Sequence, residues 1–590
     1  MSDAPLRARI VEVRSRPSFV PTTHSIRRRA QRRHEIPRSF MSSVLEFKET
    51  ADHAVLDSAH VGDIRGALGT ITQDDRDRRT TWWARWRTLL AILGPGLIVM
   101  VGDNDAGAFS TYTQAGQNYG TILLWTLSLL IPVLYVNQEM VLRLGVVTGV
   151  GHARLILERF GKFWGAFSVI DLFVLNALTI VTEFIGISLG LDHLGLSRVW
   201  GVAISAGLII LTASTGNFRR FERFALLLVM GSLLLVPVLL MVHPPVAQIA
   251  HGLLIPGMPK DAPLSEVMLL IIAIVGTTVA PWQLFFQQSY VIDKRITPRF
   301  MAYEKADLCI GIALVIVGAV AMIAFTAATF AGKPEMGQFA DAGAVADGIA
   351  KYVGEVPAVL FSIALIDASI IGAAAVSLST AYAIGDVLSL NHSLHRKPAE
   401  AKTFYGVYAA LIVLAAALVL IPNAPLGIIT NAVQTLAGIL LPGATVFLLL
   451  LCNDKAVLGP WVNKPLTNLF TGAVVLVLVL LSIILTASVL YPSIGSVEIL
   501  AILIGGLATA ALVALTLGVV HWRTKRGAPA TVPATVEEKA AWRMPPLHKL
   551  PPAQISLRRK LWLGVLRAYL IAALILAIVK VTEVIFTAGQ

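Results

Sequence analysis

Apolar runs of about twenty residues, repeated along most of the chain, constrain this sequence more than any other feature. They fall at residues 89–115, 121–142, 165–191, 199–213, 221–243, 267–291, 307–331, 356–384, 405–421, 427–451, 469–490 and 497–520, with a further candidate near 561–583. A helix of about 20 apolar residues spans the roughly 30 Å hydrocarbon core of a bilayer. Of the 590 residues, 56% are hydrophobic and 14% charged, with mean hydropathy +0.73; soluble domains carry about 25% charged residues. The sequence predicts an all-α polytopic membrane protein with the lipid bilayer as its solvent.

Charge follows from that reading. The excess of 48 Lys and Arg over 36 Asp and Glu gives +12, but the basic residues sit between the runs, where they report topology rather than nucleic-acid binding. Basic clusters follow the even-numbered runs: Arg143, Arg154, Arg159 and Lys162; Arg219-Arg220-Phe221-Glu222-Arg223; Lys294, Arg295, Arg299 and Lys305; His395-Arg396-Lys397; Lys455 and Lys464; Arg523-Thr524-Lys525-Arg526. This pattern predicts a multi-pass protein of the cell (inner) membrane with a cytoplasmic N-terminus. Residues 1–40 hold ten Arg and three acidic residues without a core pattern, so residues 1–85 are expected to be a basic cytoplasmic tail without structure. Cys309 and Cys452 lie in or beside apolar runs and offer no disulfide framework. No nucleotide-binding loop, nucleophile elbow or His-rich metal motif points to an enzyme or a cofactor. A monomer is the expected state.

Two runs are interrupted. The first contains Gly102-Asp103-Asn104-Asp105-Ala106-Gly107-Ala108 and the second Gly276-Thr277-Thr278-Val279-Ala280-Pro281-Trp282-Gln283. A carboxylate at bilayer depth costs roughly 2.5–3.5 kcal/mol on insertion scales, and glycine and proline break the backbone ladder there. Interrupted helices in corresponding positions of two halves mark a substrate site near the midplane. The breaks fall in runs one and six. Five runs cross an odd number of times, so a second set of five enters inverted. The expected division is 86–244 for the first repeat, 265–452 for the second, 465–522 for two added helices, and 523–590 for a linker with a candidate terminal helix.

Gly94-Pro95-Gly96, Asp105-Ala106-Gly107-Ala108 and Gln114-Ala115-Gly116 are similar to the first helix of the Nramp metal-ion transporters. Gly276 to Gln283 resembles their sixth helix and Asn431 to Pro442 their tenth. The resemblance covers about residues 89–520 and implies a leucine-transporter-like fold, with two inverted five-helix repeats and broken helices 1 and 6, and a divalent metal ion as substrate.

The departures sharpen the expectation. The family's first break reads Asp-Pro-Gly-Asn; here Asp105 is kept while Ala106 and Ala108 replace the proline and asparagine. The sixth-helix Met-Pro-His becomes Ala280-Pro281-Trp282, Gln287 replaces a second histidine, and Ile180 replaces an aspartate one turn before the matching Glu183. The ninth run lacks the usual arginine pair. Gln434 matches the family's glutamine on helix ten.

A thioether selects soft or borderline metals, whereas carboxylate, carbonyl and water suit Mg²⁺ and Mn²⁺. The expected metal set is therefore Asp105, Gln434, the backbone carbonyls near Thr277, and Gln283. Asp103 either holds the hydrated ion from farther out or caps the broken helix. Glu183 is a candidate for the ion path or a partner of backbone groups, and Trp282 a packing or gate residue. These features predict import of partly hydrated Mg²⁺, with Mn²⁺ also admitted, by alternating access and without proton coupling. The alternatives are a proton-coupled Mn²⁺/Fe²⁺ importer, another substrate on the same fold such as an amino acid, and a metal sensor that does not transport.

Overall fold

A computed structural model of the chain describes residues 54–260, 262–421, 426–491, 494–525 and 535–553, with scattered residues between 563 and 575. Most of the tail (1–53) and most of the run near 561–583 lie outside the described residues. The described part of residues 54–85 is folded, which corrects the expectation of an unstructured tail there. A short turn at Ser58–His60 leads into an antiparallel hairpin, β1 (Ile64–Gly66) and β2 (Gly69–Ile71), with Ile64 opposite Ile71. Its apolar side chains Ile64, Ala67 and Ile71 are buried.

The remaining elements are helical. Helix α1 (Trp82–Ile92) starts at Thr81, whose hydroxyl accepts from Ala84 N–H. It meets α2 (Pro95–Val101) at a 53° bend. Gly94 turns the chain there at φ 156°, and Pro95 starts α2. A Cβ at Gly96 would lie 2.7 Å from Leu308 Cα, so the glycine permits α2 to pack closely. Residues 102–105 interrupt the helix, and α3 (Ala106–Tyr119) resumes it.

Then come α4 (Trp125–Thr148), α5 (His152–Phe160), α6 (Lys162–His193), α7 (Arg198–Ala213), and α8 (Phe218–Gly231) continued by α9 (Leu235–Val242). A short α10 (Val246–Leu254) precedes α11 (Leu264–Thr278) and α12 (Pro281–Asp293). The second break is narrower than the sequence suggests: only Val279 and Ala280 leave the helix. Ala280 is extended at φ −76°, ψ 143°, as a residue before proline prefers. Helices α13 (Met301–Phe330), α14 (Ala342–Tyr352), α15 (Glu355–Leu388), α16 (Lys402–Val419), α17 (Leu426–Cys452), α18 (Pro465–Leu490) and α19 (Ser496–Lys525) complete the bundle. Among the described residues, eight helices are long and apolar enough to cross a bilayer, or up to ten if two bent pairs each count as one span.

The interrupted helices are enclosed. Helix α15 packs along α6 and α12, α13 along α2 and α3, and α17 along α11. Leu211, Leu227 and Leu240 remain exposed on α7 to α9, as a surface against lipid tails requires.

Residues 54–71 form a strap across one end of the bundle. Arg396 holds Asp57 with both Nε and Nη2, the shortest contact 2.5 Å. Arg295 donates to Ala59 O at 2.7 Å and Asp63 O at 3.1 Å. Ala67 N–H donates to Glu222 at 2.5 Å, and Arg223 donates to Ala67 O at 3.0 Å. Asp386, at the same end, is buried: it accepts from His392 at 2.9 Å and Ser289 at 3.1 Å, although its sequence position near a helix end suggests solvent.

Candidate functional site

The first break supplies its own cap. Asp105 Oδ1 accepts from Ala108 N–H at 2.9 Å at the start of α3, satisfying one of the free amides of a helix start. The capping role weighed for Asp103 belongs to Asp105. The amide of Ala106 donates to Glu183 Oε2 on α6 at 3.1 Å. Glu183 is fully buried and its Oε1 is unpaired. A Cβ at Gly372 of α15 would touch both Glu183, at 2.8 Å, and Asp105 Cβ, at 3.0 Å. Glu183 thus binds backbone at the break, as one of its two expected roles required, and leaves an oxygen free beside Asp105.

Asp103 lies inside the break, fully buried. Its Oδ1 accepts from the side-chain amide of Gln283 on α12, and its Oδ2 is unpaired. Gln283 in turn accepts from Gln138 Nε2 on α4 at 2.8 Å. An ionised carboxylate only accepts, so the nitrogen of Gln283 is the group that faces Asp103. The Gln283 oxygen thus accepts from Gln138 while its nitrogen meets Asp103. Gln138 was missed in the sequence because an amide in an apolar run carries no motif.

Thr277 is the penultimate residue of α11, where the last carbonyls of a helix have no partner within it. Its hydroxyl is buried and unpaired as well. The neighbouring Thr278 hydroxyl bonds Tyr112 at 2.7 Å. Gln434 of α17 links the two breaks. Its carboxamide occupies the space where a Cβ at Gly107 would stand, and its backbone oxygen is 2.9 Å from where a Cβ at Gly276 would lie. Glycine at both positions lets α17 approach both breaks.

Ala108 and Ala280 are buried and add no donor side chain. Trp282 packs: its indole is buried, its six-membered ring lies 3.8 Å from the Cβ position of Gly102, and its carbonyl accepts from Ser379 at 3.0 Å. The structure therefore brings Asp103, Asp105, Gln434, Gln283 and Thr277 to one locus with Glu183 beside it. Ile180 and Gln287 are also buried, Gln287 with neither side-chain polar atom paired.

Chemically, the locus offers two carboxylates with free oxygen, an amide, a hydroxyl and helix-end carbonyls. No sulfur or imidazole donor joins it from Ala108, Ala280 or Trp282. Such an oxygen set suits a hard divalent cation. A narrow crevice lined by Ala106, Ser110, Thr182, Gly186, Asp341 and Thr430 connects the first break with the loop before α14, at the end opposite the strap.

Comparison with known proteins gives the family. The family described as natural resistance-associated macrophage protein-like (Nramp) matches residues 96–488. A divalent metal cation transporter MntH from Ralstonia nicotianae is 30% identical over 400 residues, covering 65% of this chain and 87% of the relative. One from Aeromonas hydrophila is 27% identical over 394 residues, covering 64% and 91%. Among solved structures, a manganese transporter from Eremococcus coleocola superposes with TM-score 0.58 at 19% identity, covering 78% of this chain and 97% of that one. That superposition establishes the leucine-transporter-like fold with two inverted five-helix repeats. The chain belongs to the Nramp family.

Proposed function

We propose that this chain moves a divalent metal cation across the membrane by alternating access, binding it between the two helix breaks. The observation that carries the reading is the pair Asp103 and Asp105, buried at the interruption, each close to a free carboxylate oxygen, with Gln434 spanning both breaks. The relatives' name, divalent metal cation transporter, supports the same class.

For the ion itself, similarity favours Mn²⁺: the superposed structure is a manganese transporter. This weighs against the preference for Mg²⁺ expected from the missing methionine. The donor set nevertheless supports admission of Mg²⁺ beside Mn²⁺, because Ala280 offers no thioether with which to discriminate against a hard ion. Uncoupled movement is the finer proposal, resting on Ile180, Trp282 and Gln287 in place of ionisable groups. A divalent ion entering along the membrane voltage gains about 4.6 kcal/mol per 100 mV, twice the single-charge value. The alternative is a proton-coupled Mn²⁺/Fe²⁺ importer.

The basic loops lie at the strapped end, so we place that end and the N-terminus in the cytoplasm. The oligomeric state proposed is a monomer. The test is uptake of Mn²⁺ and Mg²⁺ into proteoliposomes with a pH dye inside. Mutual competition and loss of both fluxes in Asp105→Ala support the reading; flux indifferent to Asp105→Ala rejects it.

A further inference from the structure

Where the chain enters the bundle, α1 carries an apolar face left uncovered among the described residues. Trp82, Trp86 and Leu90 follow one another at four-residue spacing with Trp83 beside them, which places them on one face of the helix. All four are exposed, by 60%, 42%, 37% and 69% in that order. The Trp82 ring meets those of Trp83 and Trp86 at centroid distances of 4.8 and 5.7 Å, so the three indoles form one aromatic patch. The opposite face, with Thr88, Ala91 and Ile92, is buried.

The helix is held at both ends, so the patch is presented in one direction. Thr88 Oγ1 accepts from Arg79 Nε at 2.8 Å, and Ile92 O and Leu93 O accept from the Lys294 ammonium at 2.5 and 2.9 Å. Arg85 and Arg87 flank the aromatic arc on its two sides at helical spacing, and Arg76 and Arg78 precede it. These four arginines are exposed and form no ion pair among the described residues, whereas Arg79 is taken by Asp75 at 2.6 Å. Asp74 and Asp77 are the exposed acids nearby, which leaves arginine in excess around the patch.

Indoles, with an apolar body and a polar N–H, settle at the membrane–water interface. Basic residues beside an apolar helix face select anionic headgroups there. The competing occupant within the chain is the N-terminal tail, but residues 1–40 carry ten Arg against three acidic residues and are repelled by the same arginines. We propose that α1 is an interfacial anchor: its aromatic patch dips into the bilayer surface, and Arg76, Arg78, Arg85 and Arg87 bind anionic phospholipid headgroups. The anchored helix continues through Gly94 into α2, so the lipid surface holds the half-helix that leads to the first break. The proposal rests on the chain spanning a bilayer and is independent of which ion it moves.

The test uses the full chain in nanodiscs whose two leaflets match, so orientation does not enter. Two preparations hold the same mixture of phosphatidylcholine and phosphatidylglycerol, and a nitroxide near the top of the acyl chain labels one lipid or the other in equal amount. The fluorescence of the patch is the difference between the native chain and Trp82→Phe/Trp83→Phe/Trp86→Phe. The proposal predicts that labelled phosphatidylglycerol quenches it several-fold more than labelled phosphatidylcholine, and that high salt narrows the gap. In Arg76→Gln/Arg78→Gln/Arg85→Gln/Arg87→Gln, read against the same tryptophan substitutions, the two labels quench alike. These arginines lie outside ion pairs, and an unchanged melting temperature checks that the variant folds. Equal quenching by both labels in the native chain overturns the proposal, as does a preference that survives loss of the arginines. Quenching by neither label means that the tail or a second copy covers the patch, and also overturns it. Metal flux is not read, so failure of the transport reading leaves this result intact.

Discussion

Gln283 donates its side-chain amide to Asp103 across 180 residues of sequence, tying the second helix break to the first. Gln138 fixes that orientation by donating to Gln283 at 2.8 Å, and Asp103 keeps its other oxygen free. The proposed ion site thus rests on a third helix, α4, through Gln138.

Replacing Gln138 tests that dependence. Gln138→Leu removes the donor to the Gln283 oxygen and leaves Gln283 tied only to Asp103, so its side chain is no longer fixed from both ends. Loss of such an orienting partner weakens metal affinity by about 10–100-fold. Half-saturation for Mn²⁺ uptake rises accordingly, while the thermal midpoint of the purified protein moves little.

Asp105 serves two purposes, and they separate by substitution. Asn is as good a helix cap as Asp, whereas Ala forfeits about 1 kcal/mol. Asp105→Asn therefore keeps native thermal stability and loses uptake. Asp105→Ala loses both. Parallel melting curves and tracer uptake read the difference.

Much of this was legible in the sequence because membrane physics leaves few options. Apolar length gave the helices, and carboxylates, glycine and proline inside such runs gave the breaks. The narrowing of the second break to Val279 and Ala280 followed from proline stereochemistry at Pro281 but needed coordinates to be seen. The direction of Gln283 was not legible, since its partners Asp103 and Gln138 lie 180 and 145 residues away. Nor was the fold of residues 54–71, whose order comes from distant partners such as Arg396 and Glu222 rather than from a core of its own.

Selectivity follows from the missing sulfur. Ala280→Met restores a soft donor at the break, and soft donors favour softer metals. Cd²⁺ then inhibits Mn²⁺ uptake at lower concentration than in the native chain, and Mg²⁺ competes less. Because Ala280 is buried, overpacking costs about 1–3 kcal/mol, visible as a lowered melting temperature.

The strap responds to pH through two histidines. Burial works against charge on His392, but Asp386, 2.9 Å away, outweighs it with Asp57 and raises its pKa to about 9. This stabilisation is complete below the ordinary histidine value near 6.5 and is lost as pH rises through about 9. His60 is shifted the other way: burial lowers its pKa, helped by His392 and opposed by Asp293, Asp57 and Asp386. Its contribution is complete above about 6.5 and is lost as pH falls below that. Hydrogen exchange of amides 57–71 is therefore slowest near pH 6.5, after correction for intrinsic rates, and faster on either side.

The most direct measurement of the central claim is Mn²⁺ and Mg²⁺ uptake by the native chain and Asp103→Ala/Asp105→Ala in proteoliposomes under an inside-negative potential, with the internal pH followed. The account predicts entry of both ions in mutual competition, without acidification, and no entry in the double variant. Undiminished entry in the double variant would contradict it.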